Sequence, residues 1–137
     1  MTCNRIIIAL AACLAVLDFG HSAAVAQTST GAFTDAQVDA GRAPYSSYCA
    51  SCHGADLNGT GHFPALVGTA FVGEWGSRTT KELYEKIRGT MPFCAAGSLS
   101  DTEYASIVAL ILKTNGAKAG GEPLTSDASP MISAILK

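Results

Sequence analysis

Between Gly54 and Ser77 the chain runs for more than 20 residues that are rich in glycine, proline and asparagine, with no alternation long enough for a strand. A stretch of that length is uncommon inside a compact domain unless something other than secondary structure orders it. It sits between segments of helical pattern. Immediately before it stands Cys49-Ala50-Ser51-Cys52-His53, so whatever those three side chains hold is placed at the head of the irregular stretch.

The helices are announced by their first turns. Thr34-Asp35-Ala36-Gln37 has the capping-box form, in which a hydroxyl accepts from an early helix N–H and the residue three positions on reaches back. It predicts a helix from Asp35 to Tyr48. Thr79-Thr80-Lys81-Glu82 repeats the signature, followed by the stripe Leu83, Tyr84 and Ile87 and a stop at Gly89. Ser100-Asp101-Thr102-Glu103 opens a third helix, with Tyr104, Ile107, Val108, Ile111 and Leu112 on one face and Asn115-Gly116 at its end. Ala117 to Ser129 reads as loose, and Pro130 to Leu136 as a short last helix with proline at its first position. The expectation is an all-α fold of three main helices and one long loop.

Residues 1–26 read as a signal peptide. Arg5 provides the positive start, Ile6 to Leu17 is apolar apart from Cys13, and Ala24-Val25-Ala26 gives the small-x-small cleavage pattern. The apolar core is too short to span a bilayer, which takes roughly 20 residues. Leu10-Ala11-Ala12-Cys13 also resembles a lipoprotein processing site, with Cys13 lipidated and retained. The few apolar residues before it, and the apolar run after it, favour cleavage instead. Either route leads out of the cytoplasm, and the favoured one predicts a periplasmic protein without stable membrane insertion. Arg5 and Asp18 leave together, so the net charge stays at −2, which excludes a basic nucleic-acid binder. The expected organisation is then a tail at 27–33, a domain at 34–116 and a loose extension at 117–137.

C-x-x-C-H is the attachment signature of c-type haem. Two thiols at this spacing can each add to one vinyl group of the macrocycle, and the adjacent imidazole then becomes an axial ligand of the iron. The motif has other uses: a structural disulfide, a thioredoxin-like redox pair, or half of a zinc site. A zinc site needs a second Cys/His pair, and the mature chain retains only Cys94 and His62. A thioredoxin-like pair follows a strand, whereas this one follows a helix. Haem is therefore expected on Cys49 and Cys52, with His53 on the iron. The sixth ligand is to be sought among Met91, Met131, His62, a lysine or water. Met91 is preferred, because Pro92 keeps the chain extended there and presents the thioether from a loop.

These residues resemble a class I cytochrome c, over Phe33 to Asn115. The resemblance implies a small cytochrome c fold wrapped around a covalently attached haem. It also implies that Gly41 and Tyr45, spaced by four from each other and from Cys49, let the first helix cross the last closely, with Tyr104 and Val108 as the partner surface. The resemblance further implies that the Pro64 carbonyl accepts from the His53 imidazole and that Trp75 with Arg78 meets a haem propionate. Gly41-Arg42, Cys52-His53-Gly54-Ala55-Asp56-Leu57, Trp75-Gly76, Thr90-Met91-Pro92 and Gly97-Ser98-Leu99-Ser100-Asp101 are similar to the small cytochromes and cytochrome domains associated with bacterial quinone-cofactor (PQQ) dehydrogenases. Cys94 departs from them, as a free thiol or an intermolecular bridge.

The function expected is one-electron transfer on a His/Met-ligated haem, without enzymatic turnover, in a shuttle between a redox donor such as a quinone-cofactor dehydrogenase and an acceptor such as an oxidase or another cytochrome. Docking would use an apolar patch around Phe63, Ala65 and Phe93. The competing readings are a haem enzyme or gas sensor with a labile sixth ligand, and a fixed cytochrome subunit of a dehydrogenase complex.

Overall fold

The computed structural model describes residues 31–136; the leader expected at 1–26, Cys13 included, lies outside them. Six helices follow in order: α1 Asp35–Tyr48, α2 Ala50–His53, α3 Gly68–Trp75, α4 Thr80–Thr90, α5 Asp101–Thr114 and α6 Ile132–Ile135. Among the described residues there is no strand, only two isolated bridges, Thr60 with Phe63 and Thr79 with Met131.

All three capping boxes form. Thr34, Thr79 and Ser100 accept from the backbone N–H of Gln37, Glu82 and Glu103, whose side chains return the bond. The start of each long helix is therefore set by residues within its own first turn. Helix α1 continues through Pro44 to Tyr48.

Helix α5 is the axis of the molecule. Nine consecutive residues, Tyr104 to Leu112, are buried, where the sequence pattern predicts a single apolar face. The other faces are covered too, since α1 and α4 both pack on it and Ala117 and Leu124 join the same core. The α1–α5 crossing is made at Gly41. A Cβ there would overlap the Ser106 carbonyl oxygen and crowd the Ile107 nitrogen. The closest approach at Gly41 is to the backbone of Ser106 and Ile107, where the resemblance implied Tyr104 and Val108; Tyr104 lies about 200° around the helix from Ser106.

Two further expectations change. Gly68–Trp75, inside the stretch read as irregular, is helical. Its N-cap, Val67, has no capping side chain. The Gly68 N–H instead donates to Asn115 Oδ1 at 3.0 Å, while Asn115 Nδ2 donates to Leu66 O at 2.9 Å. The cap comes from 47 residues away, so no local signature announces the helix.

The extension at 117–137 is not loose where it is described. Gly120 donates to Phe33 O, and Gln37 clamps Leu124 from both sides, donating to its carbonyl at 2.8 Å and accepting from its N–H at 2.7 Å. Leu124 and Ile132 are buried in the core. The helix expected over Pro130 to Leu136 shortens to Ile132–Ile135, because Pro130 and Met131 are used in pairing with Thr80 and Thr79.

Gly41→Val should lower stability by about 2 kcal/mol, read from denaturant midpoints, and an unchanged midpoint would show that α1 and α5 can separate freely. A second expectation concerns pH. The Ser100 N–H and hydroxyl hold the Glu103 carboxyl below its ordinary range. A depressed carboxylate stabilises the fold above its unfolded pKa and loses that contribution as pH falls through the folded one. The cost of Glu103→Ala should therefore be present at neutral pH and shrink progressively as pH falls below the ordinary glutamate pKa of about 4.3.

Candidate functional site

Helix α1 ends at Tyr48, and the chain turns at once through Cys49 into the single turn of α2. The Cys49 carbonyl accepts from Cys52 at 3.1 Å and from His53 at 2.9 Å, which brings the three side chains of the motif to one wall of a cavity. Tyr45, one turn earlier, donates its hydroxyl to Gly54 O at 2.7 Å and so ties the end of α2 to α1. Thr60 Oγ1 donates to Cys52 O. The irregular residues after His53 also hold themselves: Gly59 donates to His53 O at 2.8 Å and Leu66 to Leu57 O at 2.7 Å.

His53 is buried, 8% exposed, with Nδ1 at 2.9 Å from Pro64 O. A proline carbonyl can only accept, so Nδ1 carries a proton, and Nε2 is the nitrogen whose lone pair the neutral ring would offer. Phe63 meets the imidazole edge to face at 6.3 Å. Burial, with Cys52 beside it, pushes the Cys49 thiol up to about 11. Tyr45 is raised to about 12, by burial first and then by Cys49 and Asp56. A thiol held neutral is the reverse of the acidified thiol that a dithiol redox pair needs. Cys49, Cys52 and Cys94 are all free, and among the described residues no three His, Cys, Asp or Glu side chains gather to hold a metal.

Met91 lines the same cavity. It follows α4 in extended conformation, its N–H donating to Ile87 O at 2.8 Å. Its carbonyl accepts from the Tyr104 hydroxyl at 2.8 Å. Tyr104 is fully buried and lies edge to face with Tyr84, whose hydroxyl donates to Asp101, which in turn pairs with Arg88 at 2.9 Å. Tyr104 thus belongs to the Met91 segment, a role the sequence reading missed; its apolar-face spacing shows burial but not the destination of its hydroxyl.

Of the other sixth-ligand candidates, Lys86 also lines the cavity, whereas His62 and Met131 do not. Met131 is 42% exposed beside Thr79. Trp75 and Pro64 line the cavity. Arg78 does not: its guanidinium stacks on Trp75 at 5.0 Å and pairs with Glu74 at 3.1 Å. Gly41 serves the helix crossing and Cys94 is exposed. The rim carries Tyr48, Phe63 and Phe93, the last 79% exposed.

The free space of the cavity, its open mouth included, is about 980 Å³. Its inner wall is apolar, with Leu66, Leu83, Ile87, Ile107 and Ile111. Two thiols, an imidazole with a free Nε2 and a thioether face one apolar space, and that donor set fits a covalently attached haem.

Residues 36–111 match the family model described as cytochrome c oxidase, cbb3-type, subunit III. Among solved structures, the chain is similar to one in the crystal structure of the sulfane dehydrogenase SoxCD from Paracoccus pantotrophus, with 27% identity and a TM-score of 0.51. That alignment covers 72% of this chain and 50% of the other, so this chain spans about half the length of its solved relative. No curated protein sequence matches it.

Tyr104→Phe removes the hydroxyl that donates to Met91 O and should cost about 1 kcal/mol with helix content unchanged by circular dichroism. An unaltered denaturation midpoint would show that the bond does not hold the Met91 segment.

Proposed function

The chain belongs to the family of cytochrome c oxidase, cbb3-type, subunit III, and on that premise we propose that it carries one electron at a time on a haem ligated by His53 and Met91. Its cofactor is haem c. When bound, that group supplies the one-electron Fe(III)/Fe(II) couple.

The observation that carries the reading is the shared cavity: Cys49, Cys52, His53 and Met91 face the same apolar space. Cys49 and Cys52 would hold the macrocycle through thioethers. His53 offers Nε2, kept basic and correctly oriented by the Nδ1–H donated to Pro64 O. Met91 offers the thioether, and Tyr104 and Ile87 fix its backbone from both sides. A soft sulfur ligand favours Fe(II) and raises the potential. With His53 and Met91 both bound, the chain would leave no place for a substrate on the iron, which sets this reading against the haem enzyme and the gas sensor. Leu83, Ile87, Ile107 and Ile111 keep water from the inner face, so little reorganises when the charge changes.

Trp75 lines the cavity and bears Arg78 on its ring, an arrangement suited to a propionate near the indole. Tyr48, Phe63 and Phe93 give the mouth an exposed apolar rim, which suits brief contact with redox partners better than a charged face. We place the protein in the periplasm, exported by residues 1–26. Among the described residues no helix is long and apolar enough to cross a membrane. The electron would come from a dehydrogenase, a quinone-cofactor enzyme being one candidate, and pass to an oxidase or another cytochrome. A second reading, a fixed subunit of a larger complex, is supported by the oxidase-subunit name of the family and by the likeness to a chain of the sulfane dehydrogenase SoxCD, half of which the alignment covers.

The oxidised protein should show the weak red absorption band of methionine-sulfur ligation. Met91→Ala should abolish the band and lower the reduction potential, while Met131→Ala leaves both unchanged. A high-spin spectrum in the intact protein, or loss of the band in Met131→Ala, overturns the ligand assignment.

A further inference from the structure

The segment from Ala128 to Ser133 lies past the residues that match the family model, and it is tied to one short turn of the chain. Thr80 donates its hydroxyl to Ala128 O at 2.7 Å and its N–H to Pro130 O at 3.0 Å. Ile132 donates to Arg78 O at 2.9 Å and Ser133 to Gly76 O at 3.0 Å. Thr79 and Met131 pair between them. These bonds grip both ends and the middle of residues 76–80, the connection from α3 to α4. Within that connection, Gly76 and Arg78 donate back to Val72 and Trp75, but their own carbonyls are engaged by the C-terminal segment. Ile132 is fully buried, and α6 packs on α3. Trp75, the last residue of α3, lines the haem cavity with Arg78 stacked on its ring.

We propose that residues 128–133 form a positioning strap for Trp75: by holding the 76–80 turn against α3 they fix the indole, and the guanidinium above it, at the wall of the haem cavity. No residue of the strap lines the cavity; it acts through the turn. A backbone turn whose carbonyls lose their donors has other conformations open to it, and the side chain at its edge moves with it. The proposal rests on haem occupying this cavity.

Trp75 is the only tryptophan in the chain, so emission from the haem-loaded protein reports its distance from the haem directly. In the intact protein, well below its melting transition, emission should be strongly quenched. A chain ending at Ser126 keeps the Leu124 clamp on Gln37 but loses the strap. Its emission should rise several-fold and its reduction potential should shift. Ile132→Ala in the full-length chain should move both readouts in the same direction and decides the matter if the shortened chain does not fold; Ile132→Val should restore them. Leu124→Ala, which loosens the tail at α1 instead, should lower the melting temperature without raising emission. Strapless and Ile132→Ala proteins that melt earlier but keep quenched emission and the original potential overturn the strap alone. Bright emission from the intact haem-loaded protein overturns the placement of haem in this cavity and the strap with it.

Discussion

Helix α1 meets α5 backbone to backbone because Gly41 has no side chain, and the arrangement of the cavity follows from that contact. The crossing fixes where α1 ends. One turn later comes Tyr45, two turns later come Tyr48 and Cys49, and α2 follows directly on Cys49. On the other partner, α5 presents Tyr104 to the Met91 carbonyl and Ile107 and Ile111 to the inner wall. One close approach thus sets the separation between the motif and the Met91 segment, which have no direct bond between them among the described hydrogen bonds. A β-carbon at position 41 would move both at once, since a packed interior transmits a shift instead of absorbing it.

The remaining walls are held by single polar side chains that reach backbone atoms of distant loops. Tyr45 holds Gly54, the Pro64 carbonyl holds His53, Tyr104 holds Met91, and Asn115 holds both Leu66 and Gly68. Each joins segments with no helix or sheet ladder between them. The space they enclose is apolar and nearly free of formal charge, Lys86 at its edge apart. Burial keeps the Cys49 thiol and the Tyr45 phenol neutral. Such an interior suits a flat apolar cofactor held by covalent and coordinate bonds, and the irregular stretch after His53 finds its order partly in that cofactor's walls and partly in its own hydrogen bonds.

The parts of the fold that could be read in advance were those whose causes are local. Three capping boxes announced α1, α4 and α5 at their observed first residues, because cap and helix lie within four positions of each other. Helix α3 stayed hidden because its cap is Asn115. The tail looked loose because the donors and acceptors that hold it, Gln37 and Thr80, were already accounted for as parts of helix starts; that the same side chains also take up Leu124 and Ala128 is invisible along the chain.

The same division runs through the site. The spacing of Cys49, Cys52 and His53 is covalent information: three side chains on one turn face one way wherever the rest of the protein lies, and the sequence by itself determined the haem-binding signature and the three capped helices. It also singled out Met91 and Pro64, through the conformational rule of proline in one case and a family likeness in the other. Only the tertiary structure decided that Ser106 and Ile107 lie under Gly41, that the Tyr104 hydroxyl donates to the Met91 carbonyl, that Arg78 stacks on Trp75, and that the C-terminal segment grips the turn behind it. Those outcomes depend on groups tens of residues apart meeting at hydrogen-bond distance, and a meeting of that kind is a property of the packed chain, with no trace in the spacing of neighbours.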